Sequence, residues 1–178
     1  MIILNIAMFL VLFGTLILVG LPRSTSLLTG VLAFCAAVGV LVGISYVVSL
    51  GVGNISVGLA PRIQLSLFLA AAVEEVCKYI GAILKRDNEA LRIPHGWGVG
   101  LGFAGAEHLF FLLLSPPMFA LRLVLVTALH VGTTALYTRK KTHLHRLITD
   151  GFTVIAGSTI HGLYNFLLQG LDPTPLFW

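Results

Sequence analysis

Long apolar stretches are the feature that most constrains what this chain can fold into. Six of them, each about 19 to 24 residues long, lie at residues 2–21, 27–50, 63–84, 96–114, 118–138 and 149–169. An apolar helix of about 20 residues crosses the hydrocarbon core of a bilayer, which is roughly 30 Å thick. The pattern predicts an all-α, polytopic transmembrane helical bundle with about six spans, which forms a single integral membrane domain over residues 1–178.

The composition points to the same surroundings. The chain is 57% hydrophobic and only 10% charged, whereas a soluble domain carries about 25% charged residues. So few charges could not cover the surface of a protein in water. The net charge of +4 could suggest a nucleic-acid partner, but the basic residues lie in short loops between apolar stretches. We therefore expect the lipid bilayer, and no nucleic acid, as a partner.

The distribution of basic residues predicts an orientation. Most of the eleven lysines and arginines lie in the loops that follow the first, third and fifth stretches. By the positive-inside rule these loops are cytoplasmic. The segments 85–95 and 139–148 should therefore face the cytoplasm, and both termini should lie outside it. Arg122 is interpreted as a residue just inside the end of the fifth stretch, and Lys78 as a residue within the third.

Ionisable residues lie near the middle of the predicted spans. Each charged group in hydrocarbon costs at least ~2.5–3.5 kcal/mol. With a helical rise of 1.5 Å per residue, each of five such residues lies within about 4 Å of its span's midpoint. We therefore expect four helices to bring acidic and imidazole groups into one layer, which we interpret as a functional site. The five residues are Glu74, Glu75, Glu107, His130 and His161.

The spacing of these residues indicates what the layer could do. Asn165 lies four residues after His161 and shares its helix face. Glu74 and Glu75 point about 100° apart, so one could reach the reaction centre while the other pairs with Lys78 or a neighbouring helix. Either carboxylate could take a proton from water, which a histidine could share. Asn165 and a second histidine could donate hydrogen bonds to an oxyanion.

A metal is an alternative use of the same groups. Glutamate and histidine are both zinc ligands, so Glu75, Glu107, His130 and His161 could hold a divalent ion such as zinc. No other cofactor is expected. The two cysteines lie inside apolar stretches and provide neither a disulfide framework nor a Cys/His zinc spacing.

Four sequence elements resemble those of the PrsW family of intramembrane proteases, which is related to the CAAX-prenyl endopeptidases and the CPBP proteins. In the family's order, they are an EExxK motif at 74–78, an FxxxE motif at 103–107, a histidine at 130 and an HxxxN motif at 161–165. The related endopeptidases typically show EExxxR and FxxxH instead, so Lys78 and Glu107 place this chain nearer to PrsW. The resemblance covers about residues 70–166.

The resemblance implies intramembrane proteolysis of a membrane-anchored protein or peptide, with a catalytic core at about 63–169. The implied mechanism is either a glutamate-activated water with His161 and Asn165 stabilising the oxyanion, or a metal bound by glutamate and histidine. A transporter or channel for protons or divalent cations is the alternative, because it could use the same Glu/His layer. Transporters often show inverted repeats and broken helices, and we find neither pattern in the sequence.

Overall fold

The described part of the chain is helical. The computed structural model describes residues 6–7, 9–10, 14, 24–51, 59–85, 88–114, 119–139 and 146–171. Over these ranges there is no strand, so the all-α prediction is confirmed for them. The predicted stretch 2–21 lies largely outside the described residues, and so do both termini and their predicted orientation. Five long helices are described: α1 Ser24–Gly51, α2 Leu59–Ile83, α3 Glu89–Leu114, α4 Phe119–Tyr137 and α5 Arg146–Leu171.

Two of these five helices are long and apolar enough to cross a membrane, by length and composition alone. They are α1, over Thr25–Val48, and α4, over Ala120–Tyr137. The expectation of six spans is therefore not supported within the described residues. One physical reason is visible in α2, where Glu74, Glu75 and Lys78 place three charges within five residues.

The outward surface of the bundle is rich in apolar side chains. On α1, Leu32 is 60% exposed and Val47 is 66% exposed, and on α5 Leu167 is 64% exposed. Soluble monomers rarely expose large contiguous apolar surfaces, and such surfaces mark contact with a membrane or another protein. The buried positions of α1 are instead occupied by small side chains and Phe34, which pack on Phe103 of α3.

Glycines set the position of α3 between α1 and α4. A Cβ added at Gly102 would lie 2.1 Å from the carbonyl oxygen of Leu27 in α1. A Cβ at Gly100 would lie 2.7 Å from the carbonyl oxygen of His130 in α4. Only glycine permits this backbone approach on both sides. The contact holds α3 in a fixed position relative to both neighbours, and Glu107 follows about one turn later.

The start of α3 differs from the sequence prediction. The segment 85–95 was predicted to be a loop, but the helix begins at Glu89. The Oδ1 atom of Asn88 accepts a hydrogen bond from the amide of Leu91 at 3.2 Å, which is the N-cap interaction of a helix. Pro94 lies inside this helix, more than one turn past its start, where its ring nitrogen cannot donate the helical hydrogen bond to the carbonyl of Ala90. The apolar stretch therefore predicts too short a helix, because the first turns of α3 contain polar residues.

Candidate functional site

The five ionisable residues predicted to share a layer lie together in one cluster. Glu75 and His130 are fully buried, and Glu74 is the most accessible of the five at 9%. The residues come from α2, α3, α4 and α5, as the depth argument predicted. Their contacts divide the cluster into two halves, one centred on Glu75 and the other on Glu74.

The carboxylate of Glu75 is surrounded by donors. The ammonium group of Lys78 donates a hydrogen bond to Oε1 of Glu75, and the Nδ1 atom of His161 lies 3.0 Å from the same oxygen. The hydroxyl of Tyr137 donates to Oε2 at 2.5 Å. Both oxygens are therefore engaged, and Glu75 holds three helices together. We refer to Glu75, Lys78, Tyr137 and the Nδ1 side of His161 as the saturated half.

Lys78 links this half to the next carboxylate. Its Nζ atom lies 2.6 Å from Nδ1 of His130 and 3.4 Å from Oγ1 of Thr133. An ammonium group only donates hydrogen bonds, so Nδ1 of His130 is the acceptor. The proton on that ring is then on Nε2, which lies 2.5 Å from Oε2 of Glu107. This tautomer follows from the hydrogen-bond network, and it makes His130 the bridge between Lys78 and Glu107.

Arg122 completes the chain of contacts at Glu107. Its Nη2 atom lies 3.3 Å from Oε1 of Glu107. Its guanidinium carbon lies 3.9 Å from the centre of the Phe111 ring, in the position of a cation–π contact. Arg122 is only 6% exposed. A continuous series of hydrogen bonds and ion pairs therefore runs from Arg122 to Tyr137.

Glu74 differs from its neighbour. Its Oε2 atom is buried without a hydrogen-bond partner among the described residues, and the nearest base is Nε2 of His161 at 3.5 Å. Since Nδ1 of His161 donates to Glu75, a neutral His161 presents the lone pair of Nε2 to Glu74. The two groups can therefore share one proton.

A small cavity lies beside Glu74. Its walls are largely apolar, with Phe34, Leu67 and Phe111 among them, and it measures about 20 Å³. That volume is close to what one water molecule requires. The cavity is also lined by four polar residues, which we call the open half: Glu74, Glu107, Arg122 and Asn165. Asn165, predicted from its spacing to His161, therefore reaches the same space as Glu74.

The residues that could bind a metal in the structure differ from those predicted from the sequence. Among the described residues, ligand atoms of Glu74, His130 and His161 lie within 4.8 Å of one another. The predicted ligand Glu75 is instead occupied by its three donors. Both ring nitrogens of His130 are also engaged, one of them by the ammonium of Lys78 at 2.6 Å. A divalent cation at this place would face that positive charge, so the donor set as arranged does not fit a metal.

Two residues of the cluster were missed as site residues by sequence reasoning. Arg122 was interpreted as a span-end residue, although a lone arginine inside an apolar stretch is itself a signal of function. Tyr137 was not singled out. It lies seven residues after His130, two helical turns further along the same face of α4, and that spacing could have identified it.

Comparisons with protein-family models, with curated proteins and with solved structures found no match to this chain.

Proposed function

We propose that this chain is a membrane-embedded protease that hydrolyses peptide bonds of membrane-anchored proteins or peptides, with Glu74 as the group that activates water. One observation carries the proposal. Glu74 has a buried oxygen without a hydrogen-bond partner among the described residues, and it lines a cavity of about one-water size together with Asn165. An unsatisfied buried carboxylate oxygen is costly, so its presence beside such a space supports a role with a ligand.

The proposed reaction uses a water molecule in the cavity. The carboxylate of Glu74 takes a proton from the water as the water oxygen bonds to the substrate's carbonyl carbon. The electron pair of the carbonyl moves to its oxygen, and the amide of Asn165 donates a hydrogen bond to that oxyanion. The carbonyl then re-forms, the carbon–nitrogen bond breaks, and protonated Glu74 returns its proton to the departing amine.

His161 positions the proton of Glu74 in this scheme. Its Nδ1 atom is fixed by Glu75 at 3.0 Å, and its Nε2 atom lies 3.5 Å from Glu74. The ring can therefore share the proton that Glu74 takes from water. The saturated half of the cluster supports the site by holding this ring in place, because Glu75 is itself occupied by donors.

The membrane setting is part of the proposal. We propose that α1 to α5 all cross the bilayer, that the predicted stretch 2–21 adds a sixth span, and that both termini lie outside the cytoplasm. The exposed leucines and valines of α1 and α5 and the loop charges support this arrangement. Charged groups inside a membrane are expected to face the interior of the bundle and to pair with one another, as the buried cluster does.

The test compares two adjacent glutamates in purified protein reconstituted in liposomes with a panel of single-span reporter peptides. Glu74→Gln should lower the cleavage rate by ~10²–10⁴, the usual effect of losing a general base, and should leave thermal unfolding in detergent nearly unchanged. Glu75→Gln is the matched change one residue away. It should lower the unfolding temperature, because it leaves the charge of Lys78 uncompensated.

Proton and cation flux are measured in the same liposomes. If the wild-type protein cleaves none of the peptides but shows flux that Glu74→Gln removes, the protease proposal is wrong and the transporter alternative is favoured. If Glu74→Gln cleaves at the wild-type rate, Glu74 is not the base.

A further inference from the structure

Arg122 has no place in the family motifs, yet it lines the cavity beside Glu74 and Asn165. We propose that Arg122 is a catalytic residue that donates a hydrogen bond from its Nε atom to the carbonyl oxygen of the bond being cleaved. This inference rests on the proposed protease function and adds a second donor to Asn165.

Two contacts fix the guanidinium group of Arg122. Its Nη2 atom pairs with Oε1 of Glu107 at 3.3 Å, and its central carbon lies 3.9 Å from the centre of the Phe111 ring. Glu107 is itself held by Nε2 of His130 at 2.5 Å. A donor fixed in this way needs little reorganisation when charge develops on the substrate, which is the condition for effective electrostatic stabilisation.

The Nε donor of this group is unused in the described part of the chain. The Nε atom of Arg122 is buried and has no hydrogen-bond partner among the described residues. The whole side chain is only 8% exposed. A buried N–H without an acceptor costs about 1–3 kcal/mol, and more when the group is charged. An acceptor brought into the cavity by a substrate would remove that cost.

The charges of the cluster indicate which acceptor it would take. Three buried carboxylates, on Glu74, Glu75 and Glu107, stand against two buried cations, on Lys78 and Arg122. With neutral histidines the described cluster therefore has no net positive charge to attract an anionic ligand, whether Glu74 is ionised or holds the proton that it shares with His161. A neutral peptide carbonyl needs no such charge, and its oxygen becomes negative only as the water attacks.

Loss of Arg122 should slow the chemical step of the reaction. A charge-assisted hydrogen bond is about twice as strong as a neutral one, and it strengthens as the carbonyl oxygen becomes an oxyanion. Interactions that are stronger in the transition state raise kcat, whereas equal binding of both states changes only KM. Loss of Arg122 should therefore lower kcat much more than it changes KM.

The experiment measures kcat and KM separately, in liposomes, for a reporter peptide that the wild-type protein cleaves. Arg122→Gln should lower kcat by ~10²–10³, the usual loss for one oxyanion donor, with KM within about threefold of wild type, because the hydrogen bond acts mainly in the transition state. Arg122→Lys keeps the charge but not the Nε donor, and it should lose most of the same factor. Arg92→Lys is the matched control, because Arg92 lies near the start of α3 and is not among the residues that line the cavity.

A second measurement separates contact with the substrate from support of Glu107. A trifluoromethyl ketone analogue of the reporter peptide forms a tetrahedral hydrate that resembles the intermediate. Its affinity should fall in Arg122→Gln by the same factor as kcat/KM, while the affinity of an uncleavable amide analogue stays near that of wild type.

The possible results distinguish a failure of the protease function from a failure of the role of Arg122. A wild-type protein that cleaves no peptide in the panel overturns the protease function itself. A cleaving wild type with unchanged kcat in both Arg122 variants, or with only KM altered, overturns the role of Arg122 alone. Equal weakening of the ketone and the amide analogue also overturns it, because the residue would then act by shaping the site. If Arg122→Gln does not fold, Arg122→Lys carries the same comparisons.

Discussion

Glu74 and Glu75 are neighbours in α2, yet their surroundings are opposite. Glu75 accepts hydrogen bonds from Lys78, His161 and Tyr137, so both its oxygens are engaged. Glu74 has one buried oxygen without a hydrogen-bond partner among the described residues, with Nε2 of His161 at 3.5 Å, and it lines a cavity. Residues next to each other on a helix point about 100° apart, which is enough to place one carboxylate in a closed network and the other at its edge.

The different surroundings of Glu74 and Glu75 suit them to different roles, one in chemistry and the other in structural support. A carboxylate whose two oxygens already accept hydrogen bonds from three donors stabilises a structure and is a weaker base toward water, because those donors favour its charged form. A carboxylate with an unused oxygen is less stable where it is and available to a ligand. We infer that the saturated half provides rigidity and the open half provides chemistry. Substitutions in and beside the saturated half test that division, because each should lower the stability of the protein by a different amount.

Replacing Lys78 should break the saturated half. Lys78→Met removes a buried cation that contacts Glu75, His130 and Thr133. Removal of one partner from a buried ion pair costs roughly 3–5 kcal/mol, so the free energy of unfolding should fall by that amount. Thermal or denaturant unfolding in detergent measures it. Lys85→Met is the control, because Lys85 is exposed in the turn that follows α2. Equal stability of the two variants would contradict the division.

Replacing Tyr137 should weaken the same half without removing a charge. Tyr137→Phe deletes the hydroxyl that donates to Oε2 of Glu75 at 2.5 Å. A hydrogen bond to a charged group contributes about 1.5–3 kcal/mol, so the loss of stability should be smaller than for Lys78→Met. Tyr164→Phe is a matched control, since the hydroxyl of Tyr164 is buried without a partner in the described part of the chain. A larger loss in Tyr164→Phe would show that the contacts of Tyr137 have been misjudged.

The smallest effect is expected at Gly157 of α5. A Cβ there would lie 2.6 Å from the hydroxyl of Tyr137 and 3.3 Å from Oε2 of Glu75. Gly157→Ala should cost about 1–3 kcal/mol through overpacking, of which the better helix propensity of alanine returns up to about 1 kcal/mol. Gly151→Ala in the same helix meets nothing within 4 Å and should be neutral or stabilising in the same unfolding assay. A stabilised Gly157→Ala would mean that the side chains move apart easily.

Much of the cluster could be predicted from the sequence because depth along a helix depends only on residue number. The constant rise per residue places Glu107, His130 and His161 at similar depths. The structure brings His130 and His161 into contact with α2 and Glu107 into contact with His130. Their catalytic roles stay predictions. The partner of Lys78 could not be predicted, since residues three and four positions apart are both neighbours on a helix. His161 and Tyr137, from two other helices, hold Glu75 in that position.

Arg122 and the span count show where local patterns fail. The partner of Arg122, Glu107, lies on a different helix, so no spacing within α4 indicates the pair. Apolar length likewise predicted where helices occur but missed the polar first turns of α3 after Asn88. It also predicted six spans, of which the described helices support two by length and composition. A buried charge network reduces the apolar length of a helix without preventing it from packing inside a bundle.

The placement of three charges on α2 has a consequence for biogenesis if the chain crosses a bilayer. Glu74, Glu75 and Lys78 would each cost at least ~2.5–3.5 kcal/mol in a helix that enters lipid alone, whereas their partners on α4 and α5 are synthesised later. We expect α2 to stay at the translocon or at the membrane surface until α5 is available. Glycosylation-reporter insertion assays on chains truncated after residue 85 and after residue 171 compare the two stages, and full insertion of the shorter chain would contradict this order.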